Sequence, residues 1–263
     1  PLLGLFSGQE RLKMRTQDAR RPRASAEGVG ALPGGKGIGA AVTKLNVALF
    51  GHVSVAFGDQ STPVRLQRTC ESLFAYLVLF SKPLCERDQV IAAFWGDHGE
   101  PSARGCLNTT LWRLRSALEA HGPGGGDYLL ALPSGEIGFN WQADYRLDVQ
   151  EFSRAVEPVL RRPAEELTDA EVAAAEDGLT LYRGDLLEAV YLDWALRERE
   201  AARLKYIAAL TRLSDFYYLR RVRDRSIGYA LRVLDLDPLR EDMHRRVMRV
   251  HAEADQRPLA IRQ

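Results

Sequence analysis

The stretch that decides the fold is RGCLNTTLWRLRSAL, Arg104–Leu118. Leu107, Leu111, Leu114 and Leu118 recur at spacings of 4, 3 and 4, the repeat of one face of an α-helix. A helix is therefore expected over residues 102–120, with those four leucines turned to a core. At about 100° per residue, the opposite face holds Gly105, Thr109, Trp112, Arg113 and Ser116, with Asn108 and Arg115 on the flank. From Ala103 to Leu118 stand Arg104, Arg113 and Arg115 and no acid. Positive charge is thus gathered on one amphipathic helix.

Towards the N-terminus, two shorter helices lead into this one. Leu66, Cys70, Leu73, Leu77 and Phe80 form one apolar stripe that Lys82-Pro83 breaks. A second helix is expected from Arg87 to Trp95, with Val90, Ile91, Phe94 and Trp95 inward, and Gly96 at its end. Before these, residues 45–50 and 53–57 read as two short strands, Gly58-Asp59-Gln60 as a turn, and residues 64–66 as a third strand. After the glycine-rich loop at 122–126, residues 128–132 and 136–141 alternate around Pro133-Ser134-Gly135. That is a β-hairpin pattern. Strands, three helices and a closing hairpin are the order of a winged helix-turn-helix.

From Asp148 the periodicity is helical throughout. Residues 148–160 form one candidate helix. Thr168-Asp169-Ala170-Glu171 is a capping box, in which Thr168 and Glu171 each bond the other's backbone amide; it opens a helix to about Tyr182. A long helix is expected over 192–221, then shorter ones at 225–234 and 240–254, divided by Asp237-Pro238. Helix pairs closed by a proline suggest tetratricopeptide-like units of about 34 residues, with Leu213, Tyr217 and Ala260 at signature positions. The fold class expected is an α+β winged-helix N-terminal domain followed by an all-α tetratricopeptide-like domain. The boundaries are a disordered basic leader at 1–43, the winged helix at 44–145 and the helical domain at 146–263. The last repeat runs out at Gln263 and the first residue is Pro1, so the natural protein is expected to extend further.

Composition bounds the function. The chain is 46% hydrophobic and 27% charged, as in an ordinary globular protein, and no stretch reaches the roughly 18–20 uncharged apolar residues of a membrane span. A cytoplasmic protein with no membrane partner is expected. Cys70, Cys85 and Cys106 lack metal-ligand spacing and the five histidines are scattered, so neither a metal nor a cofactor is expected. Gly34-Gly35-Lys36 lacks the spacing of a phosphate loop, and no GxSxG or HExxH motif occurs. An enzyme is not expected. The net charge of +1 is uneven: residues 1–44 carry eight Lys/Arg against three acids, whereas residues 45–148 carry eight against eleven. Charge over the whole middle segment therefore does not nominate it as a nucleic-acid binder; only the helix at 102–120 does.

Several ordered motifs carry a family resemblance. RGCLNTTLWRLRSAL resembles the recognition helix of OmpR/PhoB-type winged helices, and most of all that of the Streptomyces antibiotic regulatory proteins, the SARP family. CERDQVIAAFW (Cys85–Trp95) is similar to their second helix. LDVQEF (Leu147–Phe152) resembles their junction into the bacterial transcriptional activator domain, and LYRGDLLE (Leu181–Glu188), WALRERE (Trp194–Glu200) and DPLREDMHRRVM (Asp237–Met248) resemble that domain's internal motifs. Two positions depart: Glu86 stands where the family usually has a Ser or Thr helix cap, and Trp112 where a polar or basic DNA-facing residue is common.

The resemblance implies a DNA-binding activator that docks on direct-repeat promoter sites and engages RNA polymerase. On that reading Asn108, Thr109, Trp112 and Arg113 face the major groove, where Arg reads guanine and Asn adenine. Arg104 and Arg115 bind phosphates, with Ser116 on the same face. Ser134 and Gly135 at the wing tip approach the minor groove or the backbone. Two readings of Trp112 stand open: packing on a sugar or thymine methyl, or covering a neighbouring core residue. The partners expected are double-stranded DNA, RNA polymerase and a second protomer on repeated half-sites. The alternative is a tetratricopeptide-like protein-interaction scaffold whose winged helix no longer binds DNA.

Overall fold

The computed structural model describes residues 44–58, 63–80, 84–121 and 125–263. The expected leader at 1–43, residues 59 and 60 of the first turn, the Lys82-Pro83 break and residues 122–124 of the glycine loop lie outside them. An α+β unit comes first: β1 (Leu45–Ala48), β2 (Ser54–Phe57), α1 (Arg68–Leu79), β3 (Cys85–Glu86), α2 (Arg87–Trp95), α3 (Glu100–Glu119), β4 (Leu129–Ala131), β5 (Glu136–Phe139) and β6 (Tyr145–Leu147). Helices alone follow: α4 (Asp148–Arg161), α5 (Asp169–Leu179), α6 (Asp193–Leu219), α7 (Arg223–Leu236), α8 (Glu241–Glu253) and α9 (Arg257–Arg262).

The strands form two three-stranded sheets, ordered β2-β1-β6 and β3-β5-β4. β1 pairs antiparallel with β2, Val47 opposite Val55, and parallel with β6, Val47 opposite Leu147. In the second sheet β5 takes the centre, with Ile137 opposite both Cys85 and Ala131. Alternation in β1 buries Leu45 and Val47 and leaves Asn46 and Ala48 half-buried, as a one-sided strand should.

Residues 64–66 are not a strand. Val64 donates one backbone bond to Val55 (2.6 Å), and the chain then turns into α1 before a ladder can form. Conversely, β3 and β6, of two and three residues, are too short to leave an alternation in the sequence.

α2 spans the residues its pattern predicts, and Glu86 at its N-cap makes no side-chain capping bond. α3 starts two residues early, with Gly99 as N-cap and Pro101 in its first turn, where proline lacks no needed donor. Its fully inward residues are Ala103, Leu107, Thr110, Leu114 and Leu118. Leu111 is only partly buried, packed at the margin of the core, and Thr110 takes the place expected of it. The Thr110 hydroxyl donates to the Cys106 carbonyl one turn back (2.8 Å), which removes the cost of burying it.

In the helical unit, the capping box forms as its sequence predicts, opening α5. Gly178 lets α5 approach α4: a Cβ there would lie 2.4 Å from the Ala155 Cβ. Short connections of a few residues make α6, α7 and α8 antiparallel neighbours. Of the predicted signature positions, Leu213 and Tyr217 are buried and Ala260 is half-buried. Among the described residues, no helix is long and apolar enough to cross a membrane.

The two units share one core. Beyond β1 the chain pairs with the segment between α5 and α6. Phe50 bridges Leu186, the Gly51 amide donates to the Asp185 carbonyl (2.9 Å), and the Leu187 amide donates to the Leu49 carbonyl (3.0 Å). Arg199 secures that segment by donating to the carbonyls of Leu186, Leu187 and Val190. Asp148, at the start of α4, accepts the amides of Leu49 (2.9 Å) and Phe50 (3.0 Å). Trp194 from α6 wedges against Tyr76 and Phe80 of the α1 end and Phe94 of α2, edge-on to Tyr76 with ring centroids 5.1 Å apart.

Candidate nucleic-acid interface

The inward residues of α3 are fixed by the core, so its other side must face solvent. There the fold exposes Arg104, Asn108, Thr109, Trp112 and Arg113, with Arg115 on the flank and Ser116 half-buried. Trp112 is 68% exposed, a large apolar surface left in water. Acids stand only at the helix ends, Glu100 and Glu119.

Four of the polar side chains are held by partners, those of Arg104, Asn108, Arg113 and Arg115. Arg104 pairs with Glu100 one turn back (2.7 Å, both mostly exposed), a contact worth little in water. Arg87, opening α2, donates to the Asn108 side-chain oxygen. Arg113 donates to Gln67, just before α1 (3.1 Å). Arg115 donates to the Leu129 carbonyl at the start of β4 (3.0 Å), so its guanidinium fastens the hairpin to α3. At the hairpin turn Ser134 bonds Glu136 (3.0 Å). Gly135 has a φ of +96°, a backbone state that favours glycine. Arg104, Asn108, Thr109, Trp112, Arg113 and Ser116 thus share one helix surface. Ser134 and Gly135 lie apart at the hairpin tip, linked to that surface through β4 and Arg115.

Sequence reasoning missed Arg65, Gln67 and Arg87. None sits on α3; the fold brings them to its two flanks. A shallow groove of about 220 Å³ runs between α3 and the segment entering α1, walled by Arg65, Trp112 and Arg113, with Leu66, Cys70 and Ala117 beneath. Burial pushes the Cys70 thiol up, although Arg113 opposes this, so the groove floor is an uncharged thiol at neutral pH.

The comparisons with known proteins agree with this architecture. Residues 147–263 match the family described as the bacterial transcriptional activator domain. Among solved structures, the chain is similar to EmbR of Mycobacterium tuberculosis in complex with a low-affinity phosphopeptide. The identity is 18% and the TM-score 0.64, over 83% of this chain and 57% of that one. At that identity the likeness speaks for fold, and its span reaches well beyond the helical unit. The chain covers little more than half of the EmbR chain. No curated protein matches the sequence. The class so defined is an α+β unit built onto a bacterial transcriptional activator domain. The helical unit is thereby similar to the activator domain of bacterial transcriptional regulators.

Proposed function

We propose that the chain is a sequence-specific DNA-binding activator of transcription that acts in the cytoplasm. Residues 44–145 serve as the winged-helix DNA-binding domain, residues 146–263 as the activator domain, and β4–β5 as the wing. The observation that carries this reading is the surface of α3, where Asn108, Thr109, Trp112 and Arg113 stand exposed on a helix free of acids from Ala103 to Leu118. Such a helix fits the major groove, with Asn108 and Arg113 offering donors to base edges or phosphates. Arg104 meets phosphate; Arg115 holds the wing and leaves its remaining donors for the backbone; Ser134 and Gly135 approach the minor groove.

Acids outnumber bases over residues 45–148, so one protomer neutralises few phosphates and binds modestly. Two protomers on direct-repeat half-sites overcome this, placing the activator domains beside RNA polymerase. The same acid excess and the exposed Trp112 favour the second reading, a protein-interaction scaffold without DNA binding.

A gel-shift salt titration on bound genomic fragments separates the two. Arg113→Ala should weaken binding by about 1–3 kcal/mol if the side chain reads a base, and sedimentation of the complex should show two protomers per site. Absence of any shift at low salt would favour the scaffold, and a single protomer on the DNA would refute the paired arrangement.

A further inference from the structure

The groove beside α3 has a composition that the reading of α3 as a base-reading helix does not use. Its walls are cationic, Arg65 and Arg113, and among the described residues its lining includes no acid. Its floor is apolar, Leu66 and Ala117 beside the buried Cys70. At about 220 Å³ it is smaller than the roughly 300–1,000 Å³ of sites that hold a whole small molecule. It suits one moiety of a larger ligand, apolar on one side and anionic on the other.

Trp112 forms one wall and does not cover the core. It is 68% exposed, and the ring contacts among the described residues involve the other aromatic side chains. An exposed indole standing over a groove is a contact surface in search of a partner. Position on the helix says which partner. When a helix lies in the major groove, contacts to sugar and phosphate position it and contacts to base edges specify the sequence. Arg113 points to the α1 flank, where it bonds Gln67, and the groove lies on that flank.

We infer that this groove is a seat for one deoxyribose-phosphate unit of the bound DNA strand. The sugar packs on Trp112 and Leu66, and the phosphate lies between Arg65 and Arg113. The inference rests on the DNA-binding reading above and deepens it: Trp112 holds the strand in register and reads no base, and Arg65, outside α3, belongs to the interface.

The test uses the full chain, a duplex selected from bound genomic fragments and a scrambled duplex of equal length. Trp112→Ala should weaken both complexes by the same factor, about tenfold for the lost apolar contact. Arg65→Ala should lower the slope of log affinity against log salt by about one on both duplexes. DNA should also shield the wild-type fluorescence from iodide, because Trp95 and Trp194 are buried and Trp112 is the most exposed of the four tryptophans. Loss confined to the selected duplex overturns the seat and makes Trp112 a base reader. Unchanged binding by both variants overturns the seat alone. Failure of the wild type to bind either duplex overturns the DNA-binding reading and the seat with it.

Discussion

Replacing Asp148 with alanine tests the joint between the two units most directly. The residue is 9% exposed, and its carboxylate accepts the Leu49 amide at 2.9 Å, the Phe50 amide at 3.0 Å and its neighbour Val149's amide at 2.7 Å. Leu49 and Phe50 are themselves buried, so alanine leaves two buried donors without an acceptor. Each such donor costs about 1–3 kcal/mol, and release of the buried charge offsets part of the sum. A net loss of about 3 kcal/mol at pH 7 is expected from urea unfolding followed by far-ultraviolet circular dichroism. A loss below about 1 kcal/mol would refute the reasoning.

The pH dependence of the same joint has a definite sign. Burial pushes the Asp148 carboxyl above the usual range, more than the amides of Phe50, Leu49 and Val149 and the charge of Arg183 pull it down. The folded chain therefore holds the proton more tightly than the unfolded one. The proton-linked part of the Asp148 contribution is fully present below the ordinary carboxylate pKa of about 4 and is lost as pH climbs through the folded value, leaving the amide bonds. Asp148→Asn removes that titration, so the stability difference between wild type and variant should shrink as pH rises from the acid side. A difference that grows with pH would mean that the amide bonds, rather than burial, dominate.

Two further outcomes concern the helical unit. Trp194→Ala should cost about 3–5 kcal/mol and, by removing the wedge on Tyr76, Phe80 and Phe94, split one calorimetric transition into two; a single unshifted transition would show that the units do not depend on it. Glu176 accepts the hydroxyls of Tyr217 and Tyr229 and the guanidinium of Arg225. Burial pushes its carboxyl up, but those bonds outweigh it and hold the group below its ordinary value. Its contribution is thus present above the ordinary pKa of about 4.3 and lost as pH falls through the folded value. Glu176→Gln should lower stability by about 1–2 kcal/mol at pH 7 and little at pH 3, and an equal loss at both would count against the assignment.

Local features were legible because their causes are local. The α2 boundaries follow from an apolar stripe closed by Gly96, and the capping box at Thr168 from two side chains three residues apart. Leu107, Leu114 and Leu118 follow from helical periodicity alone. Leu111 did not, because where the core ends depends on which elements lie beside α3. β3 and β6 were invisible for a related reason: each exists only because β5 or β1 offers a partner.

The sequence by itself therefore determined an α+β segment followed by helices, and a helix at Arg104–Leu118 with leucines on one side and arginines on the other. Tertiary structure decided what surrounds that helix. It brought Arg87 to Asn108, Arg65 and Gln67 to Trp112 and Arg113, and the segment after α5 to the end of β1. The physical reason is range. Periodicity and capping act within a few residues, whereas a flank, a groove or a joint is made by side chains that meet only after the chain has packed.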